Sequence, residues 1–485
     1  MKKWLIGALC LPMWLSAQHQ IGWRTDPYAG INRTFVNPAL SAQTPYRWDV
    51  NLAEGSAFLT NNYVYFLDTG LPGLYRASQD PKTEFFFRGD LPQDAVRDKL
   101  MIYDYVDDTR ARYAQVETSI LGPSFSLEVV PGTRVGLFTR WRGMATTRDV
   151  DTDFSFYRWR DFPDLEDIPI DPFRMAAASW AEAGLHLAQQ IYTPGGRLTL
   201  GFNARYLWGQ RAAYFINEQA FDIAKLPDNQ GVQGTDFQLT AGFSNNLTEQ
   251  DNYSSSPGRG WGVDLGVTYE FGEADGYYQG MIGASLLDLG RLNFADGQEH
   301  LFTNEVLTTV LTDQYENFSE DMAVEEAIRQ LSQDVYADSL GSRTADEMHL
   351  ALPTTFGLQF KYAFDEHISV HAQYLGSLSM TDGPGLERMG MLAVTPRYDR
   401  YWWGVGLPVS YYAFDQLRVG LAVRLGPFFF GTDQVGSLFN TSQLQGGDFY
   451  AGIKLFPFWK SEGGERSSGR RSRPRDGSEL PCYKF

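Results

Sequence analysis

The chain has 485 residues and a formal net charge of −18. That acidity argues against broad nucleic-acid binding. Its two cysteines, Cys10 and Cys482, stand near opposite ends, with Cys10 in the apparent leader, so neither a disulfide framework nor a cysteine-built metal cluster is expected.

The first residues, MKKWLIGALCLPMWLSAQ, have the parts of an export leader. Lys2 and Lys3 form a short basic region, Trp4 to Leu15 an apolar run too short to span a bilayer, and Ser16-Ala17 a small-residue cleavage site. Residues 1–17 are therefore expected to be removed. Leu9 is bulky where a lipoprotein signal needs a small residue, which argues against lipid attachment at Cys10. No later segment has the unbroken apolar length of a transmembrane helix.

The chain as a whole is rich in glycine (48) and aromatics (15%), with a mean hydropathy of −0.32. Such a composition on short alternating runs suits a β-barrel with aromatic girdles. Strands are predicted at about 46–67, 118–129, 133–143, 180–192, 196–210, 260–272, 277–290, 352–364, 367–376, 390–399, 402–412, 416–426, 427–433 and 447–456. Within them apolar residues fall on every second position. Residues 133–142 set Val135, Leu137 and Trp141 against Arg134, Gly136, Arg140 and Arg142. Residues 418–426 set Val419, Leu421, Val423 and Leu425 against Arg418, Gly420, Ala422, Arg424 and Gly426. Period two means an extended strand with two unlike faces.

A soluble sandwich would bury the aliphatic face; an outer-membrane barrel would turn it to lipid and the arginines to the lumen. Two features favour lipid. Aromatics crowd the ends of several apolar faces, as with Trp261 against Tyr269 and Phe271, and the opposite faces combine glycine with long charged side chains. The joints also mostly alternate. Short ones fall at 131–133, 193–196, 272–276, 365–367 and 400–401, and long ones at 68–117, 144–179, 211–259, 291–351 and 377–389. Two joints fit less well: FDQ (414–416) is short where a long loop is due, and strand 427–433 is brief. The fold expected is all-β, an antiparallel transmembrane barrel of about 14 strands, with both termini on the short-turn, periplasmic side.

The loops carry the acid. Segment 291–351 holds thirteen Asp and Glu against Arg291, Arg329 and Arg343. Inside it Ser319 is placed to cap a helix whose stripe is Val324, Ile328, Leu331 and Val335. The segment at 295–350 is thus a helical insertion, folded over the barrel mouth or presented to a partner. The tail from 460 to 485 is rich in Gly, Ser and Arg and is expected to be disordered in the periplasm.

Residues 28–66, YAGINRTFVNPALSAQTPYRWDVNLAEGSAFLTNNYVYF, resemble the opening of a family of Bacteroidota outer-membrane barrels of unassigned function. GWGVDLGVTYEF (260–271), GASLLDLGRLNF (283–294), LPTTFGLQFKYAF (352–364) and VGLAVRLGPFFFGTD (419–433) extend the likeness over nearly the whole mature chain outside the acidic loops. That family is in turn similar to FadL-type transporters of hydrophobic compounds and to PorV of the type IX secretion system. Asn37-Pro38-Ala39-Leu40 resembles the Asn-Pro-Ala turn of the FadL-type hatch, a plug inside a 14-stranded barrel. The resemblance implies a hatch at 18–45, with Asn37, Pro38 and Ala39 at its turn, and a barrel at 46–459. No substrate-binding residue carries over.

The expected lumen face holds Arg134, Arg140, Arg142, Arg205, Arg418, Arg424, Lys361 and Lys454, with Glu182, Asp264, Glu270, His186 and His371. These residues form either an ion-pair network that fills the barrel and pins the hatch, or a path for an amphipathic or anionic solute. Asp149, Asp151 and Asp153 alternate as at the start of a calcium loop, but Phe154 and Arg160 stand where the loop needs Gly and Glu, leaving a weak surface Ca²⁺ candidate. No hydrolase or metalloprotease motif is present, so neither an enzyme nor a cofactor is expected. Two functions remain. One is passage or binding of a small hydrophobic or amphipathic molecule through a hatch-gated lumen. The other is a PorV-like envelope protein whose acidic extracellular loops dock a protein partner. In both the barrel sits in outer-membrane lipid.

Overall fold

In the stretch 418–426, Arg418 and Arg424 are buried while Val419, Leu421 and Leu425 are exposed. The arginines therefore point inward and the aliphatic face outward, the reverse of a soluble sandwich. The computed structural model describes residues 20–91, 100–152, 162–247, 257–274, 277–319, 324–378 and 383–457. The leader, the basic tail, both cysteines and Asp153 lie outside the described residues.

The chain forms a closed antiparallel barrel of 14 staves. In chain order the strands are β1 (Trp48–Asn61), β2 (Arg112–Leu121), β3 (Ser124–Val130), β4 (Thr133–Val150), β5 (Phe173–Thr193), β6 (Gly196–Asn217), β7 (Gly258–Ala274), β8 (Tyr277–Phe294), β9 (Thr355–Ala363), β10 (Ile368–Ser377), β11 (Met391–Asp399), β12 (Trp403–Gly406), β13 (Val409–Tyr412), β14 (Gln416–Val419), β15 (Leu421–Leu425), β16 (Phe428–Thr432) and β17 (Gly446–Leu455). Three staves are each made of two pieces: β2 with β3, β12 with β13, and β14 with β15. The break between β2 and β3 falls at Gly122-Pro123, where the register against β4 shifts by one residue, a bulge. The breaks at Pro408 and Gly420 face each other and keep register, because proline has no amide proton for the ladder and its carbonyl accepts from Gly420 N–H at 2.7 Å. Pairing of β17 with β1, at Val50–Leu455 and Asn51–Lys454, closes the ring.

The outward face is apolar at mid-height: Leu187, Leu200, Phe202, Leu265, Val267, Leu358 and Val394 are all exposed. Tyr192, Phe271, Phe364, Trp402 and Phe428 ring the short-turn end. Trp261, Tyr374, Tyr411 and Phe414 ring the other. This is an apolar band between two aromatic girdles.

At the long-loop end, β4, β5 and β6 run past the expected strand limits, to Val150, Phe173 and Asn217. A small sheet built from 167–170, 221–225, 231–234 and 308–311 joins the cap there. The predicted stave at 46–67 stops at Asn61. Its continuation, Val64–Thr69, leaves the barrel to pair with 100–105 and 441–444. The Asn61 side chain makes that corner by accepting Val64 N–H at 2.6 Å. The loop helix, α-helix Val324–Tyr336, starts beyond Ser319, which lies in a separate 3-10 segment, Thr312–Ser319. Its stripe of Ile328, Leu331 and Val335 packs on Phe237, Ala241 and Phe302. The apolar face is thus spent on the cap rather than offered to a partner.

Candidate functional site

Inside the barrel sits the N-terminal segment. It is a chain of short turns, the helical turn Ile21–Arg24 and the 3-10 turns Gly30–Phe35 and Pro38–Gln43, and it is buried almost throughout. The Asn-Pro-Ala turn has a local cause. Asn37 is extended and its Oδ1 accepts Ala39 N–H at 2.9 Å, the geometry of a helix cap, while Pro38 fills a position whose amide would be orphaned anyway. Asn37 Nδ2 turns to the wall, 3.1 Å from the Ala284 carbonyl, 3.2 Å from that of Val267 and 2.9 Å from Gln359 Oε1. The wall meets the turn with glycine: a β-carbon on Gly201 would collide with Pro38 and Ala39, and one on Gly266 with the Asn37 amide.

Charges hold the rest of this segment. Asp26 pairs with Arg397 at 2.8 Å and Arg424 at 3.1 Å. Asp49 pairs with Arg134 at 3.0 Å and Lys454 at 3.3 Å, and accepts Ile31 N–H at 3.0 Å. The Arg140 guanidinium lies over the Phe35 ring, 4.3 Å from its centroid. Ser41 joins a relay: its hydroxyl is 2.5 Å from His186 Nε2, His186 Nδ1 is 2.7 Å from Asn203 Oδ1, and Asn203 Nδ2 donates to Asp264 at 2.9 Å. A Ser–His–Asn order is the order of a hydrolase triad. Here, however, Ser41 and His186 are buried at the plug–wall seam, and the hydroxyl also lies 3.2 Å from the Pro38 carbonyl. The relay joins the plug to the wall, and any movement of the plug would break it.

Beyond the plug lies a balanced network of four arginines and four carboxylates. Arg142 pairs with Asp288 at 2.8 Å and Glu117 at 3.2 Å. Arg205 pairs with Asp264 and Asp288 at 2.5 Å each and with Glu182 at 3.5 Å. Arg140 pairs with Glu182 at 2.6 Å. Arg388 pairs with Glu117 at 3.2 Å and Asp288 at 3.0 Å. Each ion is buried, and burial of charge is tolerable only with such pairing. Arg388 comes from segment 383–390, a connection that dips into the barrel instead of rising from it: Leu386, Arg388 and Met389 are all buried. Nearer the long-loop end the interior turns apolar, with Met144, Trp180, Leu207, Leu292, Phe294, Leu350 and Leu386 in one cluster.

Every sequence-predicted lumen residue faces inward. Glu270 pairs with Arg197 at 2.6 Å, and Arg418 sits over Tyr412 at 4.1 Å and donates to Thr60 at 2.5 Å. Lys361 and His371 take no part in either network. Sequence reasoning missed Asp26, Arg33, Asp49, Glu117, Asp288, Arg388 and Arg397. Of the calcium candidates, Asp149 ends β4 at positive φ and Asp153 lies outside the described residues. Among the described residues no three His, Cys, Asp or Glu are grouped to hold a metal. A polar cleft of about 290 Å³ lies beside Asp149, between Arg174 and Glu218.

Residues 38–433 match the family of unknown function DUF5723, and the chain belongs to that family. No curated protein matches it in sequence. Similar solved structures include a monoaromatic hydrocarbon channel, a TodX deltaS2S3 mutant, at 10% identity and TM-score 0.39, covering 88% of this chain and 94% of that one. The Pseudomonas putida toluene transporter TodX is 9% identical, with TM-score 0.32 and coverage of 88% and 93%. A Pseudomonas aeruginosa FadL homologue is 8% identical, with TM-score 0.22 and coverage of 87% and 93%.

Proposed function

We propose that this protein is an outer-membrane barrel that carries a small hydrophobic or amphipathic molecule through a lumen gated by the hatch, without catalysing a reaction. The observation that carries this reading is the division of the interior. An apolar layer of Met144, Trp180, Leu207, Leu292 and Phe294 stands above a charged layer that grips a plug. A barrel needing only a filled core has no reason to separate the two. In this reading the leader is cleaved near Ala17, the tail lies in the periplasm, and solute entering past segment 383–390 is released when the turn at Asn37, Pro38 and Ala39 shifts. The lumen charges then serve as the grip on the hatch.

The test is purification from outer membranes, mass spectrometry of bound small molecules, and uptake of an apolar dye by proteoliposomes. Bound apolar ligand and dye entry that rises in Asn37→Ala support the reading. A ligand-free barrel that passes no dye in either form overturns it.

Exposed Val306, Leu307 and Phe439 at the long-loop end favour a second reading, a PorV-like anchor whose acidic loops dock an envelope protein. A co-purifying protein lost in Val306→Asp/Leu307→Asp, with no dye entry, would select it.

A further inference from the structure

Asp26 and Asp49 anchor paired charges at the plug–wall interface, but other charged groups buried there, Arg24, Glu54 and Asp433 among them, have unpartnered atoms. Arg33, on the 3-10 turn Gly30–Phe35, is buried; among the described residues it makes no ion pair, and its Nε and Nη1 lack a hydrogen-bond partner. Lys361 on β9 lies on the inward face, with no ion pair or side-chain hydrogen bond among the described residues. The residue is half-buried, whereas Gln359 and Ala363 on the same face are buried. Across the ladder, His371 stands opposite Lys361 and Gln373 opposite Gln359. His371 Nε2 and both amide atoms of Gln373 are buried without partners.

These groups converge. The Arg33 carbonyl accepts Asn37 N–H at 3.2 Å, and Asn37 Nδ2 donates to Gln359, two residues along the inward face from Lys361. Arg33 and Lys361 are electrostatic neighbours of each other and of His371 and Arg397. Around them five cations (Arg33, Lys361, Arg197, Arg397, Arg424) face three carboxylates (Asp26, Glu270, Asp399), and those three are already bound to Arg197, Arg397 and Arg424. Two positive charges are left over, in a place where an unpaired ion is strongly disfavoured.

We propose that Arg33 and Lys361, with His371 and Gln373 as further donors, bind a doubly charged oxyanion of the phosphate class between hatch and wall. The guanidinium fork suits two oxygens of a tetrahedral anion, the ammonium a third, and the anion matches the surplus charge. Because Arg33 belongs to the hatch and Lys361 to the barrel, the anion ties one to the other. The site stands whether or not the lumen conducts.

The experiment uses the full-length protein in detergent and phosphate-free buffer. Calorimetric titration with inorganic phosphate is expected to give one anion per chain, with binding at least tenfold weaker in Lys361→Met and in Arg33→Gln. In the phosphate-free buffer Lys361→Met should melt no lower than the wild type, since it removes a charge that has no counter-ion. Adding phosphate should raise the melting temperature of the wild type alone. Phosphorus NMR of protein as purified separates the sources: an orthophosphate signal means the free ion, an ester signal a lipid headgroup, and either supports the site when it is absent from Lys361→Met. Should Arg33→Gln fail to fold, Lys361→Met carries the test alone. Absence of both heat and phosphorus, or equal binding by wild type and Lys361→Met, overturns the proposal.

Discussion

Asn37 and Gly266 meet with no space for a methyl group between them: a β-carbon on Gly266 would overlap the Asn37 side-chain oxygen. The same oxygen caps the turn Pro38–Gln43, and the nitrogen of the same amide bonds the wall. Gly266→Ala therefore attacks the hatch from the barrel side. Overpacking of this kind costs about 1–3 kcal/mol. Hydrogen exchange should show residues 30–43 losing protection while the staves keep theirs, together with faster entry of small hydrophilic dyes. Unchanged protection in the hatch would count against its seating on Gly266.

Asp288 is the hub of the upper network, with contacts to Arg142, Arg205 and Arg388. It sits at positive φ, a conformation that asparagine adopts as readily as aspartate. Asp288→Asn thus removes charge with little change of shape or backbone. Three buried arginines then share three carboxylates with Arg140. Breaking one side of a buried pair costs about 3–5 kcal/mol. Denaturant unfolding in detergent should register that loss, and segment 383–390, tied through Arg388, should become the first protease site. Wild-type resistance would mean that the network contributes little.

The cap has its own pH response. His300 lies in strand 297–304 beyond the membrane-facing staves, stacked on Phe243 with Nδ1 2.9 Å from Ser342 Oγ. Burial, aided by the Arg343 charge and opposed by Glu325, pushes it down to about 4. An unfolded histidine titrates near 6.5, so the opened cap binds a proton that the closed cap refuses. The cap is at full strength above about pH 6.5 and weakens as pH falls toward 4. Protection factors in 297–304 and 324–345, corrected for the intrinsic exchange rate at each pH, should fall between pH 7.5 and 5, and His300→Gln should flatten that slope.

The staves were legible because a strand with lipid on one side and charge on the other has a strict period of two. Leu185, Leu187 and Ile191 against Glu182, His186 and Gln190 need no structure to be read. The plug was not. Arg33 sits on a six-residue turn and Asp26 in the link before it, neither with any period, and what makes them matter is a wall hundreds of residues away. Asp288 escaped because it stands where the register of β8 against β7 shifts, which breaks the alternation around it. Arg388 escaped because a loop's sequence does not say whether it rises from a barrel or drops into it. The Ser41–His186 contact joins a plug residue to a stave, and spacing alone cannot bring those together.

Two exposed aliphatic residues separate a membrane barrel from a soluble one. Leu185 on β5 is 65% exposed at mid-height in the apolar band, and Val306 is 71% exposed in the cap. In water both would tolerate a charge, since surface substitutions cost within about 0.5 kcal/mol. In a bilayer they diverge. An arginine at the midplane of a barrel costs about 2–4 kcal/mol and near or beyond the interface almost nothing. Leu185→Arg should therefore lower the folded fraction after refolding into lipid vesicles, measured by the mobility shift of unheated samples on gels, while Val306→Arg refolds like the wild type. Equal refolding of the two variants would mean that hydrocarbon does not touch Leu185, and the outward apolar band would need another partner.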